Sequence, residues 1–252
     1  MLTELQVLSL NGNSFPVFPK EIFELRTLKK LSMQNCGLKI IPEWQPLILE
    51  ELDFTNNHLD QLPPSFKGCV FLTSLKLGCN KLTSLDTWMG HFTQLKILDL
   101  HSNELTDLSS KIEVLTQLET LEISSNRFLT ALPKEIGALT SLTTIEANYC
   151  SIKMLPEEFG ALQNLTHASF RGCNLTELPK SIGKLQKLTV FDLRSNSLHS
   201  LPPQFGDLSK LKELHLDEKI PHIPHLAIPP HLLTGWHGVT TRVNREIQQI
   251  LK

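Results

Sequence analysis

Residues 188–210 read LTVFDLRSNSLHSLPPQFGDLSK, and this stretch decides the fold. Counted from Leu188, apolar residues fall at offsets 0, 3, 5, 10, 13, 17 and 20, with asparagine at offset 8 and proline at offset 14. Offsets 0 to 5 alternate inward and outward, as a short strand does. Offset 8 marks a turn, where a side-chain amide can bond the backbone groups that the turn leaves unpaired. The Leu-Pro step ends the strand ladder. Offsets 17 and 20 stand three apart, like the buried side of a helical turn. One such unit cannot cover its own apolar face, but stacked units can, each leucine packing on its equivalents above and below.

The same pattern starts again at Leu5, Leu28, Leu49, Leu72, Leu95, Leu118, Leu142, Leu165 and Leu211. The spacing is 23 residues, except for 21 after Leu28 and 24 after Leu118. Over residues 2 to about 220 the chain resembles the leucine-rich-repeat family, with its LxxLxLxxN/CxL signature. The outer half, LPxxIGxLxxL at Leu132–Leu142 and Leu178–Leu188, is similar to the intracellular Ras-group class of Ras suppressor proteins, Ras-binding scaffolds and plant Ras-group-related proteins. The resemblance implies an α/β solenoid. It would be a right-handed leucine-rich-repeat superhelix with a parallel sheet on its concave side and short helices or turns outside.

The departures from the pattern carry their own expectations. Ile41–Leu49, IPEWQPLIL, is two residues short and holds two prolines, which predicts an extended outer segment instead of a helix. Arg127–Leu132 carries one extra residue, which predicts a small bulge after the turn. The division expected is a repeat domain over residues 1–220 and a Pro/His-rich segment with a capping helix over 221–252. In that second part Val239–Leu251 has Val243, Ile247, Ile250 and Leu251 on one helical face. Met1 and Leu2 match the end of a repeat, so the first strand would expose an edge, as in a fragment or a chain that meets a partner there.

With 24 basic and 26 acidic side chains, the composition argues against a protein built to neutralise nucleic-acid phosphates or to coat anionic lipid. No apolar run is long enough to span a membrane, and MLTELQVLSL carries Glu4 where a secretory signal needs a basic start. Five cysteines with no CxxC pair point to reduced thiols and a cytoplasmic setting. Cys36, Cys150 and Cys173 fall at offset 8, where other copies carry asparagine. Cys150 and Cys173 stand on neighbouring rungs within disulfide range, but the reading is five free thiols. Cys69 falls at a core position, and Cys79, at offset 7, is the one exposed enough to react. Sequons at Asn164 and Asn174 arise from the repeat itself.

No catalytic spacing is present: no phosphate-binding glycine loop, no HExxH, no GxSxG. His222, His225, His231 and His237 crowd the proline-rich segment, but their spacing matches no metal motif. No cofactor, metal or catalytic residue is expected. The informative positions lie between buried leucines. Offset 4 carries Asp53, Lys76, Asp99, Glu122, Glu146, Ser169, Asp192 and His215; offset 6 adds His101, Asn148, Arg171, Arg194 and Asp217. Strands about 4.8 Å apart would set these side chains in rows across the concave sheet, an acidic middle giving way to two arginines. Tyr149, the one tyrosine, stands on the rim as a candidate anchor. Carboxylates side by side without a second catalytic group suit recognition of a basic protein surface better than acid–base chemistry.

The expected function is therefore a non-enzymatic scaffold that binds a protein partner on its concave face. The resemblance implies a small GTPase or its regulator as that partner. Two other readings remain open: a regulatory repeat arm of a larger GTPase, kinase or ubiquitin ligase, and a microbial effector that mimics host repeat proteins.

Overall fold

The computed structural model describes residues 4–44, 47–85 and 88–217. Ten three-residue strands form one sheet in sequence order, every neighbouring pair parallel. They are β1 (Val7–Ser9), β2 (Lys30–Ser32), β3 (Glu51–Asp53), β4 (Ser74–Lys76), β5 (Ile97–Asp99), β6 (Thr120–Glu122), β7 (Thr144–Glu146), β8 (His167–Ser169), β9 (Val190–Asp192) and β10 (Glu213–His215). The register pairs equivalent offsets: Leu98 stands opposite Leu121, and Leu121 opposite Ile145. From β2 onward the middle residue of every strand is buried, so the leucines form a continuous core and the flanking residues face out. The expected solenoid is the observed one.

Each of β1 to β9 ends in a turn whose offset-7 residue adopts left-handed backbone angles: Asn35, Asn56, Cys79, Ser102, Ser125, Tyr149 and Ser195, with Gly12 and Gly172 in two further copies. Next to it stands the offset-8 asparagine. Asn103 donates from Nδ2 to Leu77 O at 2.9 Å in the preceding repeat and to Leu100 O at 3.0 Å in its own. Its Oδ1 accepts from the Leu82 backbone N–H at 3.0 Å. Asn57, Asn80, Asn126 and Asn196 repeat this arrangement, which satisfies backbone groups that no strand reaches.

The cysteines at this position keep half of the role. Cys36, Cys150 and Cys173 donate S–H to Leu10 O (3.1 Å), Ile123 O (3.3 Å) and Ala147 O (3.0 Å). A thiol offers no counterpart to the amide oxygen, so the accepting half is weakened. In the repeat before Cys150 the extra residue compensates, because Leu129 N–H bonds Asn126 O at 3.0 Å within its own turn. That bulge buries Leu129 and turns Phe128 outward, where the Arg127 guanidinium lies 4.6 Å from its ring centroid. All five cysteines are free thiols in the structure.

The outer turns are 3₁₀. Lys180–Lys184 begins directly after extended Pro179, and Leu185 N–H bonds Ile182 O at 3.1 Å. Residues three apart share one side of a 3₁₀ helix, which is why offsets 17 and 20 are both buried. No helical element is present between β2 and β3 among the described residues, in keeping with the two prolines of Ile41–Leu49. In the outer core of the first repeats, Trp44 packs against Phe23 and Phe66, and Phe66 against Phe92, with centroids 5.2–5.8 Å apart. The Pro/His-rich segment, its four histidines and the helix expected over Val239–Leu251 lie outside the described residues.

Candidate protein-binding surface

Parallel register brings the offset-4 side chains together in one row. Asp53 stands opposite Lys76 and Lys76 opposite Asp99; Asp99, Glu122, Glu146 and Ser169 follow on consecutive strands, then Asp192 and His215. Three carboxylates thus occupy three adjacent rungs with no cation between them on that row. The distance between parallel strands, about 4.8 Å, leaves them close enough to repel.

Sequence reasoning missed what holds these acids. Asp53, Asp99, Glu122 and Asp192 each accept the backbone N–H of the residue two further on: Thr55 at 3.0 Å, His101 at 3.1 Å, Ser124 at 2.8 Å and Arg194 at 3.0 Å. That amide leaves the strand ladder at the turn, so the acid at offset 4 satisfies a group of its own repeat while its charge stays at the groove. The signal was present in the sequence as the repeated pairing of an acid with the residue two positions later. It needed the turn geometry to be read.

Around this scheme the positions diverge. Asp53 also accepts from Gln34 Nε2 at 2.7 Å. Asp99 accepts from His101 Nδ1 at 2.6 Å. Glu146 accepts from Asn148 Nδ2 at 2.8 Å, and Asn148 Oδ1 in turn accepts from Ser169 Oγ at 2.5 Å and from the Arg171 N–H at 2.9 Å. Asp192 is only 9% exposed, because the Arg194 guanidinium covers it, with Nε 2.9 Å from Oδ1 and Nη2 on Oδ2. Arg194 is the partly exposed member of that pair. Asp217 spends both carboxylate oxygens on the Ser195 and Asn196 N–H groups, at 2.7 and 2.9 Å.

Electrostatics separate two of these acids. Burial pushes the Glu122 carboxyl above its ordinary value; hydrogen bonds from Ser124 oppose this, and the charges of Glu146 and Asp99 add to it. Burial also raises Asp192, but hydrogen bonds and charge from Arg194, with His215 beyond, outweigh it and hold that carboxyl low. Glu122 is therefore the uncompensated acid at the centre of the row, and Asp192 a neutralised one.

Tyr149 is 52% exposed and sits in the left-handed turn position, an unusual place for a bulky side chain. Its ring lies over Gly172 of the next repeat, where a β-carbon would come within 2.6 Å of Cδ1. The Arg171 guanidinium stands 5.9 Å from the ring centroid. Tyr149, Arg171 and Gly172 make one patch at the rim beside the Glu146–Asn148–Ser169 network. A shallow depression further along the sheet, over β1 to β4, is lined by Ser9, Lys30, Ser32, Glu51, Asp53 and Lys76. Lys30 and Glu51 close an ion pair of 2.7 Å across it. Among the described residues no cluster of His, Cys, Asp and Glu is arranged to hold a metal ion.

Stacked repeats of this length, one parallel strand each, an asparagine-lined turn and a 3₁₀ return define a leucine-rich-repeat protein. Leucine-rich-repeat models match residues 48–105, 117–139 and 187–208. Vasorin of Xenopus tropicalis is 34% identical over 84 residues, which is 31% of this chain and 12% of Vasorin's length. Among solved structures, a TDR receptor is 30% identical with a TM-score of 0.73, covering 86% of this chain and 39% of that one. The leucine-rich-repeat domain of the type III effector XopL is 27% identical with a TM-score of 0.72, covering 86% and 77%. No helix among the described residues is long and apolar enough to cross a membrane.

Proposed function

We propose that this protein is a non-enzymatic interaction module that grips a basic protein segment on its concave face. The carrying observation is the run Asp99, Glu122, Glu146 on adjacent rungs, with the Glu122 carboxyl pushed up by burial and by its acidic neighbours. Such a surface is electrostatically unfavourable when empty and is relieved by an incoming cation, so the free energy of binding is built into the unbound state. The sheet is rigid through its stacked core, so little ordering is lost on binding. Leucine-rich-repeat proteins in general act as protein–protein interaction modules, which agrees with this reading.

In the finer reading, Asp99, Glu122 and Glu146 contact the partner's cations. Tyr149 and Arg171 anchor its rim, and Ser169, Asn148 and Arg194 set the polar end of the groove. The similarity of the outer turns to the Ras-group class makes a small GTPase or its regulator the first partner to test. Five free thiols, three of them engaged with backbone carbonyls, favour a reducing, cytoplasmic setting. A second reading, a repeat arm of a larger protein or an effector, is favoured by the likeness to a receptor of which this chain covers 39% and to an effector domain. Affinity capture from a lysate of the source cells tests the main reading. Partners retained by the wild type and lost on charge reversal at Asp99, Glu122 and Glu146 support it; an unchanged set of partners overturns it.

A further inference from the structure

Cys79, His101 and Asp99 form a hydrogen-bonded chain that the repeat does not require. Cys79 stands at the left-handed turn position and is the one cysteine that is not buried. Its Sγ lies 3.3 Å from His101 Nε2. On the far side of the ring, Nδ1 lies 2.6 Å from Asp99 Oδ1, the oxygen that also accepts the His101 backbone N–H. A carboxylate only accepts, so Nδ1 carries the hydrogen and the Nε2 lone pair is left facing the thiol. The ring is seated on Gly78, where a β-carbon would fall 2.2 Å from His101 Cε1. Any larger residue at 78 would displace the imidazole from the sulfur.

The other four thiols are differently placed. Cys36, Cys150 and Cys173 are buried and give their hydrogens to backbone carbonyls. Burial pushes the Cys69 thiol up to about 11 and the Cys150 thiol up to about 12, and it raises Cys173 as well. A base, an orienting carboxylate and access to solvent come together at one cysteine.

We propose that Cys79 is a nucleophilic thiol that exchanges with low-molecular-weight disulfides. The Cys79 S–H proton passes to His101 Nε2 as the sulfur attacks one sulfur of the incoming disulfide. A bond forms between Cys79 and that sulfur, the original S–S bond breaks, and the departing thiolate takes the proton from His101. One disulfide is consumed, one thiol is released, and the chain carries a mixed disulfide. Asp99 acts as a positioning residue, holding the ring and its tautomer.

The test treats the full chain with glutathione disulfide and follows adducts by intact mass, with peptide mapping to locate them. One adduct forms, on Cys79, and Cys79→Ser abolishes it. His101→Gln slows it by roughly a hundredfold, the low end of what a positioned base contributes. Imidazole added to the buffer restores the rate in His101→Ala, a rescue that a purely structural histidine would not show. In His101→Gln the remaining rate no longer changes on adding Asp99→Asn, since Asp99 acts through that ring. Circular dichroism confirms that each variant is folded. An adduct that prefers another cysteine, or forms on Cys79 at the same rate without the imidazole, overturns the proposal.

Discussion

Glu122 of β6 stands directly opposite Glu146 of β7, two carboxylates on neighbouring rungs of a parallel sheet with no cation between them on that row. Like charges so placed are unfavourable by a fraction of a kcal/mol to about 1 kcal/mol. Burial adds to the effect and raises the Glu122 carboxyl.

Glu122→Gln should therefore stabilise the protein at neutral pH, by about 0.5 kcal/mol on the scale of such pairs. A carboxyl raised in the folded state favours folding below its unfolded value and loses that contribution as pH rises through the folded one. The gain over wild type should thus be present at neutral pH and fade as pH falls into the ordinary carboxylate range. Urea unfolding at several pH values measures it; a glutamine variant less stable at pH 7 contradicts the electrostatic account of this row.

Asp192→Asn should behave in the opposite sense. Its carboxyl is held low by Arg194, so it contributes stability above the unfolded value and loses it as pH falls through the folded one. The asparagine variant should be less stable by about 1 kcal/mol at neutral pH, the scale of a hydrogen bond to a charged group partly open to solvent. The deficit should shrink in acid below the usual aspartate range. Two acids of one row, three rungs apart, then show pH profiles of opposite sign in the same unfolding experiment.

Replacing the turn amide should cost more than replacing the turn thiol. Asn103→Ala leaves the carbonyls of Leu77 and Leu100 and the N–H of Leu82 without that partner, and the expected loss is about 3 kcal/mol. Cys173→Ala removes a single S–H contact to Ala147 O, with an expected loss of about 1 kcal/mol. Chemical denaturation of both variants checks the order. Equal losses would mean that neither the asparagine oxygen nor its second donated bond contributes.

The Tyr149 ring and Gly172 should be coupled. Gly172→Ala places a methyl group where Tyr149 Cδ1 lies 2.6 Å away, in a backbone with φ of 66°. The expected cost is about 2 kcal/mol, of which about 1 kcal/mol is the left-handed penalty that any β-carbon carries. With Tyr149→Gly present, the clash disappears and only the backbone part should remain. A double-mutant cycle with no coupling would mean that the ring does not rest on Gly172 in solution.

Much of this was legible in the sequence because the repeat makes every copy a test of the others. The strands, the inward leucines and the offset-4 row follow from a spacing that strict parallel register preserves. So does the bulge at Arg127–Leu132. The left-handed turn at offset 7 left a partial trace in Gly12, Asn35, Asn56 and Gly172, residues that accept that conformation easily, whereas Cys79 and Tyr149 hid it. What could not be read were contacts set by side-chain direction. Arg194 folds back on Asp192, His101 reaches both Asp99 and Cys79, and Phe128 turns out so that Leu129 can turn in. Each depends on rotamers and on one residue more or less in a turn, which periodicity does not encode.

The central claim is that the Asp99–Glu122–Glu146 row binds a basic segment. The most direct measurement is fluorescence anisotropy with a labelled Arg/Lys-rich peptide and an acidic peptide of equal length, at low and at physiological salt. The account predicts that the wild type binds the basic peptide alone and more weakly as salt rises. The Asp99→Lys/Glu122→Lys/Glu146→Lys protein should bind it at least about tenfold more weakly, as expected when like charges are set against each other. Equal binding of the basic peptide by both proteins, or a wild type that prefers the acidic peptide, would contradict it.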